Sequence, residues 1–254
     1  MHLPVASAAL ALALAGCVEG QTDHRAGTID DPVSISARWS FANFVDGTTT
    51  ACPDGFPTAV LVAQAVDDTG APIAAATRDL FACADGVGSG RALTERVYQA
   101  WIEIRSDDQR QLYARSIPQT ENVGKLDQPL SVTLLNDAGY AQLAWQLVDA
   151  ATGHALDCGA LASPSALTLH ADNLGAPAAP LDDTFVCEAN RAVTGPARPG
   201  TYTFTVSAQA GGQAAGRAAA VTATIASRNA VTDLGTITIP IAMPVPPDVI
   251  APPP

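Results

Sequence analysis

Paired carboxylates are the most frequent reactive grouping in this chain, at Asp30-Asp31, Asp67-Asp68, Asp107-Asp108 and Asp182-Asp183. Loop carboxylates can hold Ca2+, which takes about six to eight oxygen ligands. There is no Asp-x-Asp-x-Asp-Gly run, however, and Asp also favours turns because its side chain bonds nearby backbone. The pairs therefore read as turn residues, and no metal is expected. The histidines are His2, His24, His154 and His170, and no Gly-x-Ser-x-Gly or His-Glu-x-x-His accompanies them. Gly86-Val87-Gly88-Ser89-Gly90 lacks the lysine of a phosphate loop and reads as a surface turn. No catalytic residue and no cofactor is assigned.

What remains is contact chemistry. Residues 97–105 alternate Tyr98, Ala100, Ile102 and Ile104 against Val97, Gln99, Trp101, Glu103 and Arg105. Trp101 thus falls on the polar face of a strand. The next strand offers Gln111, Tyr113 and Arg115, and a hairpin through Asp107-Asp108 would bring them beside Trp101. Trp101, Glu103, Tyr113 and Arg115 form a candidate binding patch. Trp, Tyr and Arg suit a protein contact, because they bury much area at modest entropic cost. They also suit stacking on a sugar ring. The competing assignment is structural, with Trp101 packed against a second domain, a linker or a covering loop.

The elements that position these residues are read from an internal repeat. Trp39 precedes Cys52 by 13 positions, and Trp145 precedes Cys158 by 13. The next cysteine follows 31 positions later in one copy (Cys83) and 29 in the other (Cys187). Asp67-Asp68-Thr69-Gly70-Ala71-Pro72 matches Asp172-Asn173-Leu174-Gly175-Ala176-Pro177, and Val97-Tyr98 matches Thr201-Tyr202. These landmarks place copy one at residues 31–135 and copy two at 136–242. Thr58 to Val66 reads as a buried strand, ended by the Asp67-Asp68-Thr69-Gly70 turn. Tyr202, Phe204, Val206 and Ala208 alternate with polar residues at a period of two. Several such strands per copy predict an all-β chain of two tandem β-sandwiches. Only Asn136-Asp137-Ala138-Gly139 links them, which should restrict their relative motion. Residues 243–254 are proline-rich and should be extended.

Two resemblances extend this reading. Residues 5–16 are an apolar run too short to span a bilayer, ending in Leu14-Ala15-Gly16-Cys17. This resembles the lipobox of bacterial lipoproteins. The resemblance implies a signal peptide at 1–16, lipidation of Cys17, a tether over 17–30 and a membrane reached through the lipid anchor. Val18, in place of Asp, implies the outer membrane in a Gram-negative cell. Gly200-Thr201-Tyr202-Thr203-Phe204-Thr205-Val206 resembles bacterial immunoglobulin-like and prealbumin-like sandwich modules, although here the Trp precedes both cysteines. With Cys17 set aside, four cysteines allow three connectivities, and the repeat favours Cys52–Cys83 and Cys158–Cys187.

Charge narrows the function. Asp and Glu number 25 against 13 Lys and Arg, a net −12 with no basic stripe, which argues against nucleic acid as a partner. The expectation is a non-catalytic cell-envelope lipoprotein that binds, adheres or supports, with an envelope protein or a glycan as partner. The alternatives are an envelope-polymer hydrolase or a dedicated glycan-binding protein.

Overall fold

The computed structural model describes residues 33–124, 127–176 and 180–242. The expected signal segment, Cys17, the tether and the proline-rich tail lie outside the described residues. Among the described residues, nine strands build a first sandwich: β1 (Ile35–Ala42), β2 (Thr49–Thr50), β3 (Thr58–Ala65), β4 (Thr77–Ala82), β5 (Val87–Ser89), β6 (Arg96–Arg105), β7 (Leu112–Arg115), β8 (Gln119–Val123) and β9 (Gln128–Leu135). Nine more build a second: β10 (Gly139–Asp149), β11 (Ala155–Leu156), β12 (Ser165–Asn173), β13 (Leu181–Val186), β14 (Arg191–Val193), β15 (Gly200–Ala210), β16 (Gln213–Arg217), β17 (Val221–Ile225) and β18 (Ala230–Ile241).

The two sandwiches share one topology. In the first, β2, β5 and β9 pair with β1, with β9 parallel to it, while β4, β3, β6, β7 and β8 form the facing antiparallel sheet. In the second, β11, β14 and β18 pair with β10, and β13, β12, β15, β16 and β17 form the other half. A single pairing of Gly216 with Ile241 joins these halves into one curled sheet.

The period-two strands bury alternate residues, as a half-buried sheet must. Tyr202, Phe204, Val206 and Ala208 are all buried, opposite Leu143, Trp145 and Leu147 in the same cluster. Trp39 and Trp145 hold equivalent places. The Trp39 indole Nε1 donates to the Cys83 carbonyl at 2.8 Å, and that of Trp145 to the Cys187 carbonyl at 2.9 Å. Both disulfides, Cys52–Cys83 and Cys158–Cys187, are formed. This explains the conserved spacing within the chain: each Trp reads the backbone of the second cysteine of its own bridge.

The glycine-rich run is only in part a turn: Gly86, with φ 66°, closes the turn after Cys83. Val87–Ser89 is the short strand β5, paired with Ser36 to Arg38 of β1. A Cβ on Gly88 would sit 2.6 Å from the Phe81 ring, so glycine there is a packing requirement.

Strand β3 is apolar from Ala59 to Ala63 because both of its faces are covered there. Ala59, Leu61 and Ala63 face the core, while Val60 and Val62, also buried, face outward. Something on the outer face must cover them, since burying such side chains contributes about 1.5–3 kcal/mol each.

The sandwiches meet end to end. Strands β1 and β9 finish at the junction, where the Asn136 amide donates to the Ala42 carbonyl at 3.0 Å. Strands β10 and β18 begin there. Gly139 allows this crossing, since a Cβ on it would lie 2.1 Å from the Ala226 carbonyl oxygen. Val33 therefore lies at the end of the first sandwich remote from the junction, and Ile241 at the remote end of the second.

Candidate functional site

Side chains directly opposite on paired strands share a face. On the outer face of the first sandwich, Val62 stands between Trp101 and Arg78, and Val60 between Glu103 and Leu80. Arg115 stands opposite Glu103 from the other side. These neighbours cover the two valines. Glu103 is 6% exposed. Its Oε1 accepts from the Trp101 indole at 3.0 Å, and its Oε2 accepts from Arg78 at 2.8 Å and Arg105 at 2.7 Å. Burial pushes its pKa up, but the hydrogen bonds from Trp101, Arg105 and Arg78, with the charge of Arg78, outweigh this, so it lies below the ordinary 4.5. Half-buried Trp101 carries the Arg115 guanidinium 4.0 Å over its ring. Desolvation there lowers the Arg115 pKa, and Glu103 pulls it the other way.

The structure thus brings together Trp101, Glu103 and Arg115 of the expected patch, and adds Arg78 and Arg105. It does not bring Tyr113. A register shift between Ile104 and Arg105, against β7, turns Tyr113 away from Trp101. Tyr113 packs on Phe56 with centroids 5.1 Å apart and donates its hydroxyl to Asn136 Oδ1 at 3.0 Å. It belongs to the junction. Glu103 also departs from the expectation of a contact residue, because its carboxylate is buried and fully engaged by its own chain.

The second copy shows what this face looks like without those residues. Tyr98 and Tyr202 are equivalent, each donating its hydroxyl to the carbonyl four residues upstream, Thr94 and Arg198. From that alignment the pairings place Thr205 at the Trp101 position, Ser207 at Glu103, Asp182 at Arg78, Gln209 at Arg105 and His170 at Val62. His170 is exposed. Its Nδ1 lies 2.6 Å from Asp182 and its Nε2 3.2 Å from Asp172, and these hydrogen bonds raise its pKa above 6.5, the Asp182 bond foremost. The same face carries a Trp ring and three arginines around Glu103 in one copy, and hydroxyl and amide side chains with His170, Asp182 and Arg217 in the other.

Arg115 also borders a second feature. A cleft of about 460 Å3 lies at the junction, lined by β7, by Ser116 and Pro118, by Gln142 and by residues 227–231. Buried Asn229 fastens the two sandwiches across it, its Nδ2 donating to the Arg115 carbonyl at 2.8 Å and its Oδ1 accepting from the Leu135 amide at 2.9 Å. Arg228 and Asn229 both have left-handed backbone, φ 61 and 58°, a conformation that costs non-glycine residues about 1–3 kcal/mol each. The surrounding bonds hold it: the Arg228 amide donates to the Asn136 carbonyl and the Asn229 amide to the Ala138 carbonyl. The Arg228 guanidinium lies 5.0 Å over the Tyr113 ring.

Two of the Asp pairs serve turns; Asp182-Asp183 instead lies within β13, where Asp182 meets His170 and Asp183 accepts from the Gly195 amide, and Asp30-Asp31 lies outside the described residues. Asp67 accepts from the amides of Thr69 and Ala71, and Asp108 from the Arg110 amide and the Ser106 hydroxyl. Among the described residues no three His, Cys, Asp or Glu side chains converge as a metal site. No helix among them is long and apolar enough to cross a membrane.

No protein-family model and no curated protein matches this chain. Solved structures of similar outline include a leucine-rich repeat protein from Bacteroides thetaiotaomicron, 11% identical, TM-score 0.38, covering 83% of this chain and 26% of that one. This chain therefore spans about a quarter of that protein's length. GBS52, the minor pilin of Streptococcus agalactiae, is 8% identical with a TM-score of 0.31, covering 85% of this chain and 99% of that one. A streptococcal ancillary pilin is 12% identical with a TM-score of 0.24, covering 82% and 63%. The class of protein rests on the chain's own strands: a tandem, disulfide-bonded β-sandwich protein.

Proposed function

We propose that this chain is a non-catalytic binding protein of the cell envelope, tethered through Cys17, that meets its partner with the outer face of the first sandwich. The observation that carries this reading is the divergence of the two copies. Their cores, disulfides and Trp–carbonyl bonds coincide, so a purely structural role predicts similar outer faces. Instead copy one carries Trp101, Arg105 and Arg78, with Leu80 50% exposed, where copy two carries Thr205, Gln209, Asp182 and Thr184; the arginine at position 115 recurs as Arg217, with no aromatic ring for it to cover. An aromatic ring under an arginine, rimmed by further arginines, is the composition of a contact centre. The end-to-end stacking supports a tethered role, since Val33 lies at the end of the first sandwich remote from the second.

The test is cross-linking in intact cells with wild type, Trp101→Ala and Thr205→Ala. The reading expects adducts to fall in Trp101→Ala alone. Adducts unchanged by Trp101→Ala would remove it. In the same cells Cys17→Ala should move the protein from the membrane to the soluble fraction.

A further inference from the structure

The two sandwiches close their seams differently. In the second, β16 pairs with β18 through Gly216 and Ile241, which joins its two halves. In the first, the corresponding strands are β7 and β9, and among the described residues no pairing joins them. One position accounts for the difference. Ala114 faces Ile104, and Gly216 faces Ala208. The alignment of Tyr98 with Tyr202 makes those two partners equivalent, so Ala114 and Gly216 hold the same place. A Cβ on Gly216 would lie 2.2 Å from the Pro240 carbonyl oxygen, so glycine is what admits the closing strand there. Ala114 carries that Cβ, and it is buried. It keeps β9 from approaching β7 as closely as β18 approaches β16.

Asn229 fills the gap. Val132 faces Trp39 and Ile237 faces Trp145, which makes Leu135 the counterpart of Pro240. The Asn229 Oδ1 accepts from the Leu135 amide at 2.9 Å, and its Nδ2 donates to the carbonyl of Arg115, the neighbour of Ala114, at 2.8 Å. Both partners of this one side chain belong to the first sandwich, one on each of its sheets. A carboxamide offers the donor and the acceptor of a peptide group, so it makes the bonds a pairing strand would make. Asn229 is 2% exposed. It is carried on the turn between β17 and β18, whose backbone is held by the Asn136 and Ala138 carbonyls. A side chain that only fastened one sandwich to the other would need a bond to one sheet and not to both.

We propose that the second sandwich completes the first: the Asn229 carboxamide stands in for the missing pairing of β7 with β9, and so fixes the strand that carries Arg115. The dependence runs one way, because the second sandwich closes on itself through Gly216 and Ile241. It holds whether or not the outer face meets a partner.

The amides of Ser116 and Ala218 read the two seams on equal terms. They donate to the equivalent carbonyls of Ile102 and Val206, at 2.8 and 2.9 Å, and neither is bonded to Asn229. Their hydrogen exchange, followed by NMR on the full chain, reports local opening of β7 and β16. Asn229→Gly suits left-handed backbone and removes the carboxamide. In it Ser116 should exchange at least about tenfold faster, while Ala218 matches wild type. Asn229→Asp keeps an acceptor for Leu135 and loses the donor for Arg115, and it should speed Ser116 as well. Gly216→Ala is the mirror experiment: Ala218 should exchange at least about tenfold faster and Ser116 should stay as in wild type. Ser116 exchange unchanged in either Asn229 variant overturns the proposal and leaves Asn229 a fastener. Equal acceleration of Ser116 and Ala218 in Asn229→Gly also overturns it, since the dependence would then not run one way. An unmoved Ala218 in Gly216→Ala would show that seam pairing does not hold the strand, and would remove the comparison on which the proposal stands.

Discussion

Replacing Glu103 by Gln keeps the shape of a buried side chain and removes its charge. The carboxylate accepts three hydrogen bonds, two of them from arginines. Bonds to a charged group contribute about 1.5–3 kcal/mol each. Arg78 is 41% exposed and Arg105 20%, so water replaces part of what they lose. The Trp101 bond can persist as a neutral one. The net loss is about 2–3 kcal/mol, discounted for that solvent exposure. For a domain of about 100 residues each kcal/mol moves Tm by about 4–8 °C, so the first sandwich should melt about 8–24 °C lower while the second is unmoved. The pH dependence carries the sharper test. Because the folded-state pKa of Glu103 is depressed below 4.5, its stabilisation is complete above that value and is lost as pH falls through the folded pKa. Wild type and Glu103→Gln should therefore differ at pH 7 and converge on acidification. Differential scanning calorimetry from pH 7 downward reads both effects. A difference below about 0.5 kcal/mol at pH 7, or one that stays constant on acidification, refutes the placement of Glu103 as the ionised hub of this face.

Three further outcomes follow from the geometry. Replacing Cys52 and Cys83 by Ser opens a loop of 31 residues and should cost about 3–4 kcal/mol in the chain-entropy picture, seen in denaturant unfolding as a loss confined to the first sandwich. Asn229→Ala removes both bonds across the junction and forces Ala into left-handed backbone; a loss of about 2–4 kcal/mol of coupling should appear as faster proteolysis between residues 136 and 139. In an NMR titration the His170 midpoint should lie above 6.5, and Asp182→Asn should move it down. Its raised folded-state pKa places any stabilisation from the pair below pH 6.5, lost as pH rises through the folded value.

What the sequence revealed was what local pattern encodes. Period-two alternation around Tyr202 and around Ile102 marks which side chains face the core, and the repeat marks which features both copies require. The cysteine pairing followed because the same two positions recur beside the same Trp. What escaped notice was set by pairing between distant strands. Arg78 reaches Glu103 only because β4 and β6 flank β3, and no spacing announces that neighbour. Tyr113 left the patch because one register shift in a four-residue strand reverses which face its side chain takes. The turn reading of Gly86–Gly90 holds at Gly86, whose φ is 66°, and fails at Val87–Ser89, because a glycine demanded by ring packing at Gly88 looks the same as one demanded by a positive φ. His170 stands at the position of Val62, a match that only the strand pairing reveals. Asn229 is 114 residues from the carbonyl it binds, and only the junction itself makes it important. One signal was present and could have been used: Val60 and Val62 make β3 apolar on both faces, which requires a cover on the outside.

The central claim is that the outer face of copy one, and not its counterpart in copy two, is the contact surface. Placing a photo-crosslinking amino acid at Leu80 and, separately, at the equivalent Thr184 tests it directly, since both side chains are exposed on β4 and β13. Irradiation of intact cells should give a defined adduct from position 80 and none from position 184. Equal adducts from both positions, or an adduct from position 184 alone, would contradict the account.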